Sequence, residues 1–258
     1  MQKNRQTSTR ELSTAEAMRY NRQIMIPGFD LDKQEILLSA RVLIVGAGGL
    51  GCSAAQFLCA AGTGHISVMD DDTVEITNLQ RQILHFEKDV GLRKACSAKD
   101  TLKSINSGVS VDAIIERASE DNLPELIESH DIVLDCSDNL DTRNLLNRLC
   151  YEHGTSLVSG AAIRMEGQIF CVIPEKRSAC YACISRFFGE LNLSCVESGI
   201  MSPVVGIVGA SQALEAIKIL CDFGKPAINQ LQVFDAMQSH WQNFNVNAQD
   251  DCAVCSSF

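Results

Sequence analysis

Apolar positions along this chain fall into short unbroken runs that alternate with stretches of helical period. The run RVLIV at 41–45 sets one polar residue, Arg41, ahead of four unbroken apolar ones, as expected of a parallel strand covered on both faces. It passes through glycines into GCSAAQFLCAAG (51–62), which predicts a helix stopped by Gly62. HISVMD (65–70) predicts a second strand ending at Asp70. RKACSAKDTLKSIN (93–106) predicts a helix, VSVDAIIE (109–116) a strand, NLPELIESH (122–130) a helix and DIVLDCSD (131–138) a strand. Ahead of this series, STAEAMRYNRQI (13–24) sets Ser13 three residues before Glu16, the spacing of a capping box, and predicts a short helix. DKQEILLSA (32–40) predicts another.

Beyond about residue 140 the alternation continues and then changes. TRNLLNRLCYEHG (142–154) predicts a helix and TSLVSGAAI (155–163) a strand. GQIFCVIP (167–174) follows with no helix between, so antiparallel pairing is expected there. SPVVGIVGASQALEAIKILCDFG (202–224) predicts a long apolar helix bearing small residues. NQLQVFDAM (229–237) and SHWQNFNVN (239–247) predict a closing hairpin. The whole predicts an α/β fold, a doubly wound, Rossmann-like, mostly parallel sheet continued by an antiparallel C-terminal part. Ligands are expected at the carboxyl ends of its strands.

A net charge of −10 disfavours a general nucleic-acid binder. No apolar run is expected to span a bilayer, and the first residues contain no apolar signal core, so the chain reads as cytoplasmic. Twelve cysteines change the picture, because disulfides are rare in a reducing compartment. Cys52, Cys59, Cys96, Cys136, Cys150, Cys171 and Cys221 stand singly and read as small buried hydrophobes. Cys180 with Cys183, and Cys252 with Cys255, form two CxxC pairs. Each pair can place two thiolates on one tetrahedral ion, and together they predict a structural Zn²⁺ site that staples the C-terminal tail to the body.

In GAGGLG, Gly46, Gly48 and Gly51 match the dinucleotide fingerprint, and Asp70 stands where an acid can hold ribose hydroxyls. That context does not separate NAD from ATP. None of the five histidines has a recognisable catalytic setting, and the loop lacks the lysine of a P-loop. DDDTVEITNLQRQ (70–82) supplies Asp72, Asn78, Gln80 and Arg81, and Arg93 and Lys94 open the next helix. So many donors in an acidic chain favour a triphosphate.

The segments RYNRQI, GAGGLG, DDDTVEITNLQRQ, DCSDN, SGAAIRMEGQI and the two CxxC pairs, spanning about residues 12 to 255, resemble the MoeB/ThiF/HesA adenylyltransferases. These are bacterial relatives of the ubiquitin-activating enzymes. SGAAIRMEGQI and RFFGE are more similar to the MoeB branch than to ThiF.

The resemblance implies ATP-dependent adenylation of the C-terminal glycine of a ubiquitin-like sulfur carrier ending in Gly-Gly. The carrier would be MoaD-like, for molybdenum cofactor synthesis, or alternatively ThiS-like, for thiamine. By that resemblance Gly49 and Asp70 contact the nucleotide, and Asn78, Arg81 and Lys94 the phosphates. Asp138 holds Mg²⁺ with Asn139 beside it, and Arg22 enters the ATP site of a partner subunit in a homodimer. Cys195 aligns with a cysteine that forms thioester or acyl-persulfide links in some relatives; otherwise it is a loop cysteine.

No rhodanese-like extension follows Cys255, so a separate protein is expected to donate sulfur. The chain is expected to be one unit, with a helical arm (1–38), a nucleotide-binding half (39–140) and a carrier-binding, zinc-bearing half (141–258). A NAD(P)-dependent oxidoreductase and a catalytically silent scaffold are the readings from other classes.

Overall fold

The computed structural model describes residues 10–186 and 199–256. The unbroken run 41–45 is strand β1 (Arg41–Val45), and its two faces both need apolar cover. Val42 and Ile44 pack into one hydrophobic cluster, Leu43 and Val45 into another on the opposite side. Successive side chains of a strand point to opposite faces, so a strand covered on both sides shows no alternation.

Eight strands form one sheet. They are β1, β2 (His65–Met69), β3 (Ser110–Ile114), β4 (Ile132–Asp135), β5 (Ser156–Ile163), β6 (Glu166–Val172), β7 (Gln230–Asp235) and β8 (His240–Asn245), in the order β3-β2-β1-β4-β5-β6-β7-β8. Pairing is parallel from β3 to β5 and antiparallel from β5 to β8. The change comes where β5 turns directly into β6 at Arg164 and Met165, because a tight turn can only reverse the chain. The chain winds outward from β1 to β3 and then crosses back to place β4 on the other side of β1. That reversal opens a crevice at the carboxyl ends of β1 and β4.

Helices α4 (Gly49–Ala61), α5 (Lys94–Ile105) and α9 (Ser202–Leu220) cover one face. Helices α6 (Leu123–Ser129), α7 (Leu140–Glu152) and the short α8 (Tyr181–Ser185) cover the other. α9 is, by length and composition, apolar enough to cross a membrane, contrary to the expectation from the sequence. Here it is a core helix: Val204, Val205, Val208, Ala213 and Ala216 are buried against α4, β5 and β6.

The expected N-terminal helix is two helices, α1 (Thr14–Arg19) and α2 (Asn21–Ile24), followed by α3 (Asp30–Ser39). Ser13 and Glu16 form the expected capping box. The break falls at Tyr20, which is buried against Gly62 and whose hydroxyl accepts from Asn106 Nδ2 at 2.9 Å. A side chain anchored this way redirects the chain, and helical periodicity alone does not show it.

Away from the crevice, near the amino end of β2, two histidines are joined through Ser67. His130 Nδ1–H donates to the Leu126 carbonyl at 2.6 Å, so its Nε2 accepts from the Ser67 hydroxyl at 2.8 Å. Ser67 Oγ in turn accepts from His65 Nε2 at 3.0 Å. Burial is the main cause that pushes both imidazoles below the ordinary 6.5; Arg41 acts the same way, and Asp112 and Asp131 oppose it. The unfolded chain therefore takes up protons first as pH falls. The stability due to neutral imidazoles is present above pH 6.5 and lost as pH drops below it. Urea unfolding between pH 7 and pH 5 should show that loss, with a shallower slope in His130→Gln by up to about 1.4 kcal/mol per pH unit. An unchanged slope would count against this assignment.

Candidate active site

The crevice is lined first by the turn from β1 into α4. Gly46 adopts φ +102°, and a Cβ there would lie 2.6 Å from the Cys136 carbonyl oxygen. A Cβ on Gly51 would fall 1.8 Å from the Gly46 oxygen. Only glycine lets the strand turn and the helix start this close together. Gly48 caps α4 and Gly49 is its first residue. The first amide hydrogens of the helix thus lack intrahelical acceptors and form an anion-binding end.

Asp70, just past β2, braces that turn. Its Oδ2 accepts from the Ala47 amide at 2.7 Å and its Oδ1 from the Asp72 amide at 2.9 Å. Burial raises the Asp70 carboxyl above its ordinary range, opposed by the amide of Ala47 and the charge of Lys94. Lys94 opens α5 and is buried, with its ammonium 2.8 Å from Asp72 Oδ2. Asp70, Asp72 and Lys94 therefore tie the glycine turn, the acidic turn and α5 into one unit.

The NLQRQ segment lies over the start of α4. The Arg81 carbonyl is 3.3 Å from where a Cβ on Gly49 would be, and Arg81 Nη1 donates to the Thr77 carbonyl at 3.2 Å. Asn78 Oδ1 accepts from the Glu75 amide at 3.2 Å, and Gln80 is exposed. Arg93 is exposed and donates to the Asp71 carbonyl at 2.6 Å.

From the other side of the crevice comes the turn after β4, whose Cys136 touches Gly46. The two acids of DCSD part ways. Asp138 is exposed, and Asn139 beside it caps α7 by accepting from the Thr142 amide at 2.9 Å. Asp135 is wholly buried. It pairs with Arg143 Nε at 3.0 Å and accepts from the hydroxyls of Ser137 at 2.6 Å and Ser159 at 2.7 Å. Arg143 also donates to the carbonyls of Ser137 at 3.0 Å and Gly160 at 2.8 Å. Gln212, reaching across from α9, donates to the Asp135 carbonyl at 2.8 Å. This network fixes the turn that presents Asp138, and breaking such a buried pair typically costs about 3–5 kcal/mol.

Arg22 is not brought to this crevice within its own chain. Tyr20 and Gln23 pin its segment to the far end of α4, Gln23 Nε2 donating to the Ala61 carbonyl at 3.1 Å. α4 has 13 residues, so its two ends lie about 20 Å apart. Arg22 itself is exposed. Cys195 lies outside the described residues.

The two CxxC pairs do come together. Cys180, Cys183, Cys252 and Cys255 are all buried, with their sulfurs within 4.8 Å of one another. Individual separations are 4.0 Å for Cys180–Cys183, 3.6 Å for Cys180–Cys252 and 3.5 Å for Cys183–Cys255. A tetrahedron with metal–sulfur bonds of about 2.3 Å has edges of about 3.8 Å, so the cluster has the dimensions to hold zinc. Asn147 of α7 accepts from the Tyr181 amide at 2.7 Å and seats α8 beside it. Among the described residues, the solitary cysteines are all buried except Cys96, which is partly exposed. Burial pushes the thiols of Cys52 and Cys221 up to about 12 and that of Cys59 to about 11, as expected of unreactive core residues.

Three features were not read from the sequence. Asp135, Arg143 and Gln212 meet from separate elements, and no local spacing announces them. Gln82 is buried beside Gly48, and its side-chain oxygen has no hydrogen-bond partner among the described residues. His85 lies beneath the glycine turn and donates to the Ala47 carbonyl at 3.0 Å. Its position three residues after NLQRQ was the one available signal.

The ThiF family model matches residues 20–254. The molybdopterin-synthase adenylyltransferase of Escherichia coli K12 is 48% identical over 245 residues, covering 95% of this chain and 98% of the relative. The sulfur carrier protein ThiS adenylyltransferase of the same strain is 37% identical over 238 residues, covering 92% and 94%. Among solved structures, E. coli MccB with ATP aligns with a TM-score of 0.76 at 25% identity, over 87% of this chain and 69% of that one.

Proposed function

The chain belongs to the ThiF family, and from that premise we propose that it adenylates the C-terminal glycine of a ubiquitin-like sulfur carrier, a MoaD-like protein in molybdenum cofactor synthesis. The observation that carries this reading is the crevice between β1 and β4. There an anion-binding helix end, the Asp70–Asp72–Lys94 unit and exposed Asp138 converge.

The glycine carboxylate is already ionised at neutral pH, so no general base is needed. A carboxylate oxygen attacks the α-phosphorus of ATP, the bond to the bridging oxygen breaks, and pyrophosphate leaves with that electron pair. An acyl-adenylate remains. Gly46, Gly48, Gly49 and Gly51 let the phosphates approach the backbone, and Asp70 faces the ribose. Asn78, Gln80, Arg81 and Lys94 meet the phosphates. Asp138, with Asn139 beside it, holds Mg²⁺, which neutralises charge on the phosphates. Catalysis is then positioning and electrostatics.

The active unit in this reading is a cytoplasmic homodimer in which Arg22 serves the partner's site. Its distance from its own glycine turn supports that, as do the exposed apolar Phe57, Ile207 and Leu214 on α4 and α9. Cys195 is not needed for adenylation in this reading.

The carrier is identified by offering purified MoaD-like and ThiS-like proteins with ATP and weighing the products. An added AMP on the MoaD-like carrier is expected. An adenylate on the ThiS-like carrier alone would move the assignment to thiamine synthesis, in line with the 37% identical relative.

The thiolate cluster in this reading binds Zn²⁺ and anchors the tail, because metal-binding free energy becomes folding free energy. Cys252→Ser, or chelation of the wild type, is expected to lower the melting temperature markedly. Metal analysis should find one zinc per chain; protein free of thiolate-bound metal and equally stable would contradict this.

A further inference from the structure

We propose that His85 is a positioning residue for the nucleotide, fixing the peptide between Ala47 and Gly48 through a buried Ser97–His85 pair. The inference rests on the adenylation reading for its consequence and on geometry for its substance.

Ala47 stands between Gly46 and Gly48, where the backbone has most freedom to lose. Its amide is held by Asp70 at 2.7 Å and its carbonyl by His85 Nε2 at 3.0 Å. A carbonyl only accepts, so Nε2 carries the proton. Nδ1 then accepts from the Ser97 hydroxyl at 2.9 Å, while Asp89 Oδ2, 3.2 Å from the same oxygen, is the rival acceptor for that single proton. Asp89 is itself fixed by the Phe86 amide at 2.9 Å. All three side chains are buried. Burial keeps the imidazole below its ordinary range with Lys94 acting the same way, while Asp70 and Asp89 pull it back up.

In a trans peptide the C=O and the following N–H point in opposite directions. Drawing the Ala47 carbonyl into the core therefore aims the Gly48 amide outward, at the capping position of α4 where phosphate is expected. Ser97 lies one turn after Lys94 on α5. The helix that supplies the phosphate-binding lysine thus also sets the register of the glycine turn. His85 does this without touching ATP.

The test measures Mg-ATP affinity by calorimetry on the full chain, with the ATP–pyrophosphate exchange rate beside it. Glutamine can place its amide nitrogen where imidazole Nε2 sits, whereas asparagine reaches only the Nδ1 position. His85→Gln should stay within about 3-fold of wild type. His85→Asn, leaving the buried Ala47 carbonyl only the weak thiol donor of Cys52 at 3.3 Å, should weaken ATP about 10-fold. Its KM for ATP should rise with little change in kcat, and its melting temperature should fall modestly below that of the glutamine variant, the protein remaining folded at the assay temperature. Ser97→Ala, a small truncation that spares the fold, should cost about 3-fold by freeing the ring.

Equal ATP affinity in His85→Asn and wild type, or glutamine as weak as asparagine, would overturn the proposal. If His85→Asn does not fold, unchanged affinity in Ser97→Ala overturns it alone. Wild type that binds ATP but exchanges no pyrophosphate with any Gly-Gly-ended carrier overturns the adenylation reading and leaves the binding comparison standing. Wild type that does not bind ATP overturns both.

Discussion

In Asp138→Ala, carrier adenylation is expected to fall by roughly 10²–10³-fold while ATP still binds. The carboxylate is exposed at the mouth of the crevice, two residues past the Cys136 carbonyl that abuts Gly46. Mg²⁺ is usually bound through one or two carboxylates plus substrate phosphates, so one acid suffices here. The glycine turn, Asp70 and Lys94 are braced by contacts that do not involve Asp138, which is why ATP binding should survive. Asp135→Asn is the contrasting variant. It disturbs the buried Arg143 network and should lower stability as well as activity. Near-normal pyrophosphate exchange in Asp138→Ala would remove that residue from the mechanism.

Arg22→Ala is expected to lose roughly 10³-fold in rate, the scale of an arginine delivered to a phosphoryl-transfer site from outside. An arginine fork suits phosphate bidentately. Yet its segment is pinned by Tyr20 and Gln23 to the far end of α4. In the proposed dimer a neighbouring subunit presents it to the glycine turn. Mixing Arg22→Ala with Asp138→Ala tests this directly. Random pairing makes half the dimers mixed, and each mixed dimer has one site with both residues intact. About a quarter of wild-type activity should return. If the subunits exchange and none returns, Arg22 serves its own chain.

Much of the architecture was legible because it is written locally. The run 41–45 gave away a strand buried on both faces, Gly62 the end of α4, and Ser13 with Glu16 the start of α1. The CxxC pairs announced their cluster although the tail had to fold back to form it. What was not legible depends on distant partners. Tyr20 breaks the N-terminal helix because it packs on Gly62, and Asp135 differs from Asp138 only because Arg143, Ser159 and Gln212 gather round it. From the sequence α9 read only as a long apolar helix bearing small residues. Its apolar character on the buried side is spent on α4 and the sheet. His85 sat in plain view in the sequence, but its task exists only once β1 and α5 bring Ala47 and Ser97 to its two nitrogens.

The central claim is that this crevice joins ATP to a carrier's C-terminal carboxylate. It is tested most directly by ATP–pyrophosphate exchange with a purified Gly-Gly-ended carrier, the same carrier lacking its last glycine, and no carrier. Exchange is expected with the intact carrier alone, because only that carboxylate reaches the α-phosphate. Exchange that is absent with the intact carrier, or that proceeds equally without the terminal glycine, would contradict the account.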